Sequence, residues 1–403
     1  MQTVTLPQLA WFEPRNLNIY FPDNWKVDVH NMAGYKRPAL TPDQIASSLE
    51  NMVDTPPIRE LARGRKDAVI IFDDITRVTR PSKIVPFLLE ELARAGIKDG
   101  NIRFIAALGS HRPMDRVDFV KKLGKDVVDR YPVYNHNAFH NYVHVGTTSH
   151  GNEIFINGEV MRCDFKIAIG SVTPHPGNVF GGGAKIILPG VSSIDTIQFN
   201  HSMTVTPETV RDYDANPRRL DKVEAAKLAG LDVAIQCIVN LWGDTAALYA
   251  GTEPAAHAAA VEDARKHYLT HKATDVDIVV ANAYAKSSEE TIAYRNTASS
   301  IREDGGDHVL ISNTPAGQVA HYLFGKWGTD LWGRIERPIR IGNKVNHLIQ
   351  YNEYPDLANC WFVPHEKVIH LSRWGDVISE LGKHHAGGTR VAVYPSGDIA
   401  YFE

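Results

Sequence analysis

Short apolar runs alternate with longer stretches of helical spacing. Ala68-Val69-Ile70-Ile71-Phe72 is unbroken apolar sequence, which predicts a strand buried on both faces, and it stops at Asp73-Asp74. Between Pro81 and Ala95, Val85, Leu88, Leu89 and Leu92 recur at helical spacing, and Gly96 marks the stop. NIRFIAAL (101–108) predicts a second strand, running into the loop GSHRPMD, and KIAIG (166–170) a third. Strand, helix and strand in this rhythm predict an α/β fold with a largely parallel sheet. Ligands of such sheets bind at the carboxyl ends of the strands. Asp74, His111 and His175 fall just past such ends.

A second α/β pattern starts near Thr274. DIVVA (277–281), HVLIS (308–312) and KVIHL (367–371) read as strands, and residues 287–301 as a helix. Residues 245–271, rich in Ala, His and charged side chains, read as a helical connector. The expectation is therefore two α/β domains with largely parallel sheets: 1–272, carrying cofactor and catalytic groups, and 273–403, with the active site in the cleft between them. The last segment, VAVYPSGDIAYF, holds two strand-like runs around a Pro-Ser-Gly-Asp turn, with either domain open to it, the N-terminal one included.

Charge changes the picture only by exclusion. The formal net charge is −4 with both signs interspersed, so no basic stripe points to nucleic acid and no polybasic amphipathic stretch to a membrane. Apolar runs are strand-sized, far short of a membrane span. Cys163, Cys237 and Cys360 lie too far apart for a disulfide framework or a paired-cysteine zinc site. No basic segment followed by an apolar one opens the chain. The expectation is a cytoplasmic protein.

The richest chemistry lies in GSVTPHPGNVFGGGAKIILPGVSSIDTIQFNH, residues 170–201. Gly181, Gly182 and Gly183 permit close backbone approach to a ligand, and their N–H groups suit an anion nest. An amine beside Ile186-Ile187-Leu188 gives up its proton more readily, which would make Lys185 a nucleophile. The stretch is neither a Walker A loop nor a dinucleotide fingerprint, because Ala184 and Ile186 flank the lysine and GxGxxG is absent. Read alone, a tight turn with a surface lysine fits it equally well. His111, in GSHRP, and the run Asp73-Asp74-Ile75-Thr76-Arg77 have structural readings too, as a loop histidine and a capped, solvated charge cluster. Their functional readings are proton handling, contact with ribose or phosphate oxygens, and Arg77 on a carboxylate.

Together, DDITR (73–77), GSHRPM (109–114) and TPHPGNVFGGGAKIILPG (173–190) followed by Asn200-His201 resemble the nickel-dependent lactate racemases, in order and in spacing. The resemblance covers the first domain closely and the second loosely. It implies racemisation or epimerisation of a 2-hydroxy acid by reversible hydride transfer through a 2-keto acid. The implied cofactor is a nickel-pincer nucleotide, a pyridinium-3-thioamide-5-thiocarboxylic acid mononucleotide. Lys185 would tether it covalently and His201 would ligate nickel. His111 and His175 would be the catalytic pair, Asp74 and Thr76 would lie at the cofactor, and Arg77 at the substrate. Partners implied are the small 2-hydroxy acid and the accessory enzymes that build the cofactor.

The match loosens at Ala283-Tyr284-Ala285-Lys286 and the helix after it. Ile292 stands where the family has a glutamine facing the substrate, and Arg295 where it has a lysine. Arg295 keeps the charge but offers a planar fork, so it is the second candidate substrate-binding residue, and a dicarboxylate or sugar acid fits as well as lactate. Two other readings remain at this stage: a homologue that binds a nucleotide or acid without turnover, and a hydrolase with zinc on His111, His175 and His201. His136, His140, His144 and His150 read as loop and strand, because asparagines and a glycine interrupt them.

Overall fold

In a computed structural model of the chain, residues 1–323, 338–356 and 362–402 are described. Cys360 lies outside them. The chain forms two compact units, Arg37–Asn240 with Asp244–Arg265, and Met1–Lys36 with Leu241–Gly243 and Lys266–Glu403.

The first of these holds a six-stranded sheet in the order Thr245–Gly251, Val233–Val239, Phe165–Ser171, Ala68–Asp73, Ile102–Ala107, Val133–Asn135. Every pairing is parallel except that of the edge strand Thr245–Gly251. Ala68–Asp73 is buried along its whole length, as the unbroken apolar run requires of a central parallel strand. The helix Val85–Arg94 covers one face, burying Val85, Leu88 and Leu92 against a core that includes Phe72 and Phe104. Burial of each such side chain contributes about 2 kcal/mol. The expected helical connector at 245–271 is half strand: Thr245–Gly251 pairs antiparallel with Val233–Val239, and the helix is Glu253–His267. Alanines favour helix locally, but a neighbouring strand edge overrides that preference. Tyr142–Thr147 and Glu153–Asn157 form a hairpin, so the histidine-rich stretch is loop and strand, as its asparagines indicate.

The other unit carries an all-parallel sheet in the order Val368–Leu371, Val345–Tyr351, Gly306–Ile311, Ile278–Asn282, Arg390–Tyr394, Lys26–Val29. Two apolar cores cover its faces. The division therefore differs from the single break expected at 272. Lys26–Val29 pairs with Arg390–Tyr394, and this binds the N-terminal residues to the C-terminal part of the chain. Of the final segment, Arg390–Tyr394 pairs with Ile278–Asn282 in this unit. A parallel pairing between strands so far apart in sequence leaves no local signature. Among the described residues, no helix is long and apolar enough to cross a membrane.

Candidate active site

Carboxyl ends of the first unit's sheet gather most of the candidate residues. Asp73–Arg77 leaves the end of Ala68–Asp73, His111 follows Ile102–Ala107, and His175 lies in the two-residue strand Pro174–His175 just beyond Phe165–Ser171. Lys185 sits in the short 3-10 turn Gly183–Ile186, and His201 on the helix Ile194–Ser202, capped by Ser193.

Asp74 is almost fully buried, and both its oxygens are engaged. Oδ1 accepts from the Thr76 amide at 3.1 Å and from the Thr76 hydroxyl, and Oδ2 lies 2.6 Å from His111 Nδ1. Burial alone would raise this carboxyl. The charge and hydrogen bond of His111, with Arg77 and Thr76, outweigh it and hold Asp74 well below the usual carboxylate range. An ionised carboxylate only accepts, so His111 Nδ1 carries a proton and the ring is turned with Nε2 away from Asp74. Arg77 donates to Thr76 Oγ1 at 2.9 Å. The loop is held from below by Lys122, a fully buried amine donating to Asp73 Oδ1 at 2.7 Å, to Thr79 O at 3.0 Å and to Arg77 O at 3.2 Å. Asp74 thus faces His111 as an orienting group.

The glycine loop brings Lys185 Nζ to 3.1 Å from His175 Nε2. His175 Nδ1 accepts from the Gly177 amide at 3.1 Å and faces Asn178 Nδ2 at 3.2 Å. His201 Nδ1 donates to Ile197 O at 2.9 Å, which leaves Nε2 as the metal-competent nitrogen. The His111 and Lys185 segments are laced together: Gly190 donates to Lys185 O at 3.1 Å and accepts from the Gly109 amide at 2.9 Å. Gly190 has no room for a side chain, since a Cβ would stand 2.1 Å from Ile186 O.

The anion nest expected of the three glycines is already occupied. The Gly183 amide donates to Gln236 Oε1 and the Ala184 amide to Glu253 Oε1, each at 2.8 Å. Gly183 has φ +56°, and a Cβ there would meet the His257 ring at 2.6 Å. The glycines serve close packing of backbone on side chains that hold Lys185 in place. His257 completes the support, with Nε2 donating to Gly181 O at 3.0 Å and Nδ1 accepting from Tyr213 Oη at 2.9 Å.

Burial pushes His257 down to about 4, against a smaller upward pull from the Gly181 carbonyl, and pushes His136 down to about 4 as well. Both are neutral when folded and titrate near 6.5 when unfolded. The unfolded chain therefore binds more protons between these values, and stability falls as pH drops from about 6.5 toward 4. Each site costs up to about 3 kcal/mol at the bottom of that window. Denaturant unfolding at stepped pH is expected to show this slope, and His257→Gln to flatten it. Stability that stays constant from pH 6.5 to 4 would contradict the neutral, buried assignment.

Arg295 belongs to the other unit, exposed on the helix Thr291–Thr297, and Ile292 is buried on the same helix. Sequence reasoning missed Lys122, Asn178, Lys222, Gln236, Glu253 and His257. Lys222 is a fully buried amine on the helix Pro217–Leu228, and burial together with nearby Lys185 holds it well below the ordinary lysine range. In sequence it is one more charge on an amphipathic helix. Among the described residues no three or more His, Cys, Asp or Glu side chains are grouped to hold a metal ion, so His111, His175 and His201 do not form the zinc set considered above.

Residues 12–212 match the lactate racemase N-terminal domain family. The chain is 28% identical over 309 residues to the lactate racemase of Lactiplantibacillus plantarum, covering 72% of each protein. It is 31% identical over 254 residues to that of Thermoanaerobacterium thermosaccharolyticum, covering 62% of this chain and 59% of that protein. Its fold matches the lactate racemase apoprotein of the latter organism over the whole of both chains, with a TM-score of 0.72 at 21% identity. It also matches a Thermotoga maritima protein, with a TM-score of 0.65 at 17% identity over 91% of this chain and 99% of that one. Motif order, fold and these similarities agree: the chain belongs to the lactate racemase family.

Proposed function

We propose that this protein is an isomerase that racemises or epimerises a 2-hydroxy acid, using a nickel-pincer nucleotide tethered to Lys185. The similarity to lactate racemases supports the reaction class. The observation that carries the site assignment is the meeting of Lys185 Nζ and His175 Nε2 at 3.1 Å. An amine held against an imidazole in a tight glycine loop has the chemistry of a covalent anchor. His201, its ring fixed through Nδ1, offers one imidazole nitrogen, which suits a nickel ion that brings its other ligands with it.

When bound, the nucleotide with its nickel would supply the hydride acceptor that spares the enzyme a carbanion. The chain's own residues handle binding and protons. His111 Nε2, with Nδ1–H locked on Asp74, takes the hydroxyl proton of one hand of the substrate. His175 Nε2 faces the opposite hand. Arg77 pairs the substrate carboxylate. Thr76 stays on the cofactor side of that loop in this reading. Arg295 serves the substrate's distal groups, and its planar fork suits an acid with a second polar or anionic end. The same reading requires accessory enzymes that build the cofactor, and a cytoplasmic setting.

The test is a panel of single-enantiomer 2-hydroxy acids given to cofactor-loaded protein in deuterated water. The expected result is loss of chirality without solvent deuterium at the α-carbon. Racemisation with full deuterium uptake would remove the hydride route. No turnover of any acid by loaded protein would remove the function.

A further inference from the structure

Resting on that reading of His175, we infer that Lys222 is a positioning residue that works through Asn178 to hold His175 in its Nε2–H form. The two imidazoles of the site are then unequal. His111 is set by Asp74 to take a proton, and His175 is set to present one.

One chain of hydrogen bonds inside one unit joins Lys222 to His175. Lys222 Nζ lies 3.1 Å from Asn178 Oδ1, 2.6 Å from Asn200 Oδ1 and 2.9 Å from Arg218 O. All three neighbours are oxygen acceptors, so the amine donates to them. Burial opposes the charge on this amine, but the three oxygens around it match the three N–H bonds of an ammonium and give a lone pair nothing to accept. Asn178 is buried. With its oxygen turned to Lys222, its amide nitrogen must face the other way, toward His175 Nδ1 at 3.2 Å. Reversing the amide would set N–H against N–H at Lys222, which the network forbids. His175 Nδ1 also receives the Gly177 amide at 3.1 Å. A ring nitrogen that faces two donors carries no proton of its own, so the imidazole proton sits on Nε2, the nitrogen that meets Lys185.

The same amine reaches the other half of the site. Asn200, one residue before His201, gives its oxygen to Lys222 and its nitrogen to Asp221 Oδ2 at 2.7 Å. Asp221 is fully buried and is also held by Thr148 at 2.6 Å and Asn152 at 2.9 Å. One side chain therefore fastens the histidine loop and the end of the His201 helix to a common buried network. Such outer partners set ring orientation and tautomer, and their loss typically costs about 10–100-fold in activity or metal affinity.

The test reads the tautomer directly, on protein without cofactor. Histidine labelled with nitrogen-15 in the ring is followed by two-bond proton–nitrogen correlation, with His175→Gln to assign the signal. In the parent protein His175 is expected to show an unprotonated Nδ1 and a protonated Nε2. Lys222→Met keeps the length of the side chain, releases the Asn178 amide and should turn the single form into a mixture. Asn178→Asp places an acceptor beside Nδ1 and should move the proton there. A protonated Nδ1 in the parent overturns the inference. So does a Lys222→Met spectrum identical to the parent while Asn178→Asp shifts. If Lys222→Met does not fold, the parent and Asn178→Asp spectra still decide, because an unmoved proton in Asn178→Asp overturns the Asn178 link. The readout needs no turnover. A protein with the expected tautomers that racemises nothing would lose the proposed function and keep this inference, and the converse result would do the reverse.

Discussion

Lys185→Ala protein, produced together with the cofactor-building enzymes, is expected to emerge at its unmodified mass and to racemise nothing. The parent produced in the same way should carry an adduct of the nucleotide's mass, together with nickel. The loss should be complete, because no other amine stands in the glycine loop: Gln236 and Glu253 accept its backbone amides, and His257 holds Gly181. Lys185→Arg should fare no better. A guanidinium keeps the charge but is always protonated and makes a poor nucleophile. Because Lys185 is only half-buried, thermal unfolding should move little with the alanine substitution, which separates loss of the anchor from loss of the fold. An alanine variant that still racemised at the parental rate would show that the tether lies elsewhere.

His111→Ala should produce the opposite pattern, with cofactor and nickel retained and turnover lost. Its ring touches Asp74, while the anchor and the proposed nickel ligand lie on other segments. Removing a positioned general base typically costs about 10²–10⁴-fold in rate, and the fall should appear in kcat more than in KM. Asp74→Asn should give a smaller fall in the same direction. An amide oxygen can still hold Nδ1–H, but it no longer stabilises a charged ring. Metal content measured beside turnover distinguishes the outcomes. Nickel lost in step with activity in His111→Ala would mean that His111 belongs to the metal and not to the proton.

Much of the candidate site was legible because its residues lie at strand ends that unbroken apolar runs announce. Ala68–Phe72 predicts a buried strand, and the polar residues after it then fall at the edge of a parallel sheet. His111 and His175 follow by the same logic. Their partners were not legible, because burial and pairing decide them. Asp74 reads as a solvated charge until its neighbours appear, and Lys222 as one more lysine on a helix. Gly183 was rightly marked as special, but for the wrong ligand: its amide turns to Gln236, on a strand more than fifty residues later. Composition misled at 245–251, where alanines suggest helix and a strand edge takes them instead. The division of the chain was missed for a related reason. Hydrophobic period reveals that a segment is a strand, but not which distant strand it will join.

That joining of Lys26–Val29 to Arg390–Tyr394 bears on the order in which the protein can assemble as it leaves the ribosome. Residues 37–265 are finished early and contain nearly everything their own sheet requires. The strand Lys26–Val29 must wait, its edge unmet, until Arg390–Tyr394 has been made. During that interval it is an exposed template for stray strand pairing. Slow translation of the stretch leading to Arg390, or shortage of a chaperone that shields extended chain, should therefore harm the yield of this protein more than a comparable delay within residues 37–265.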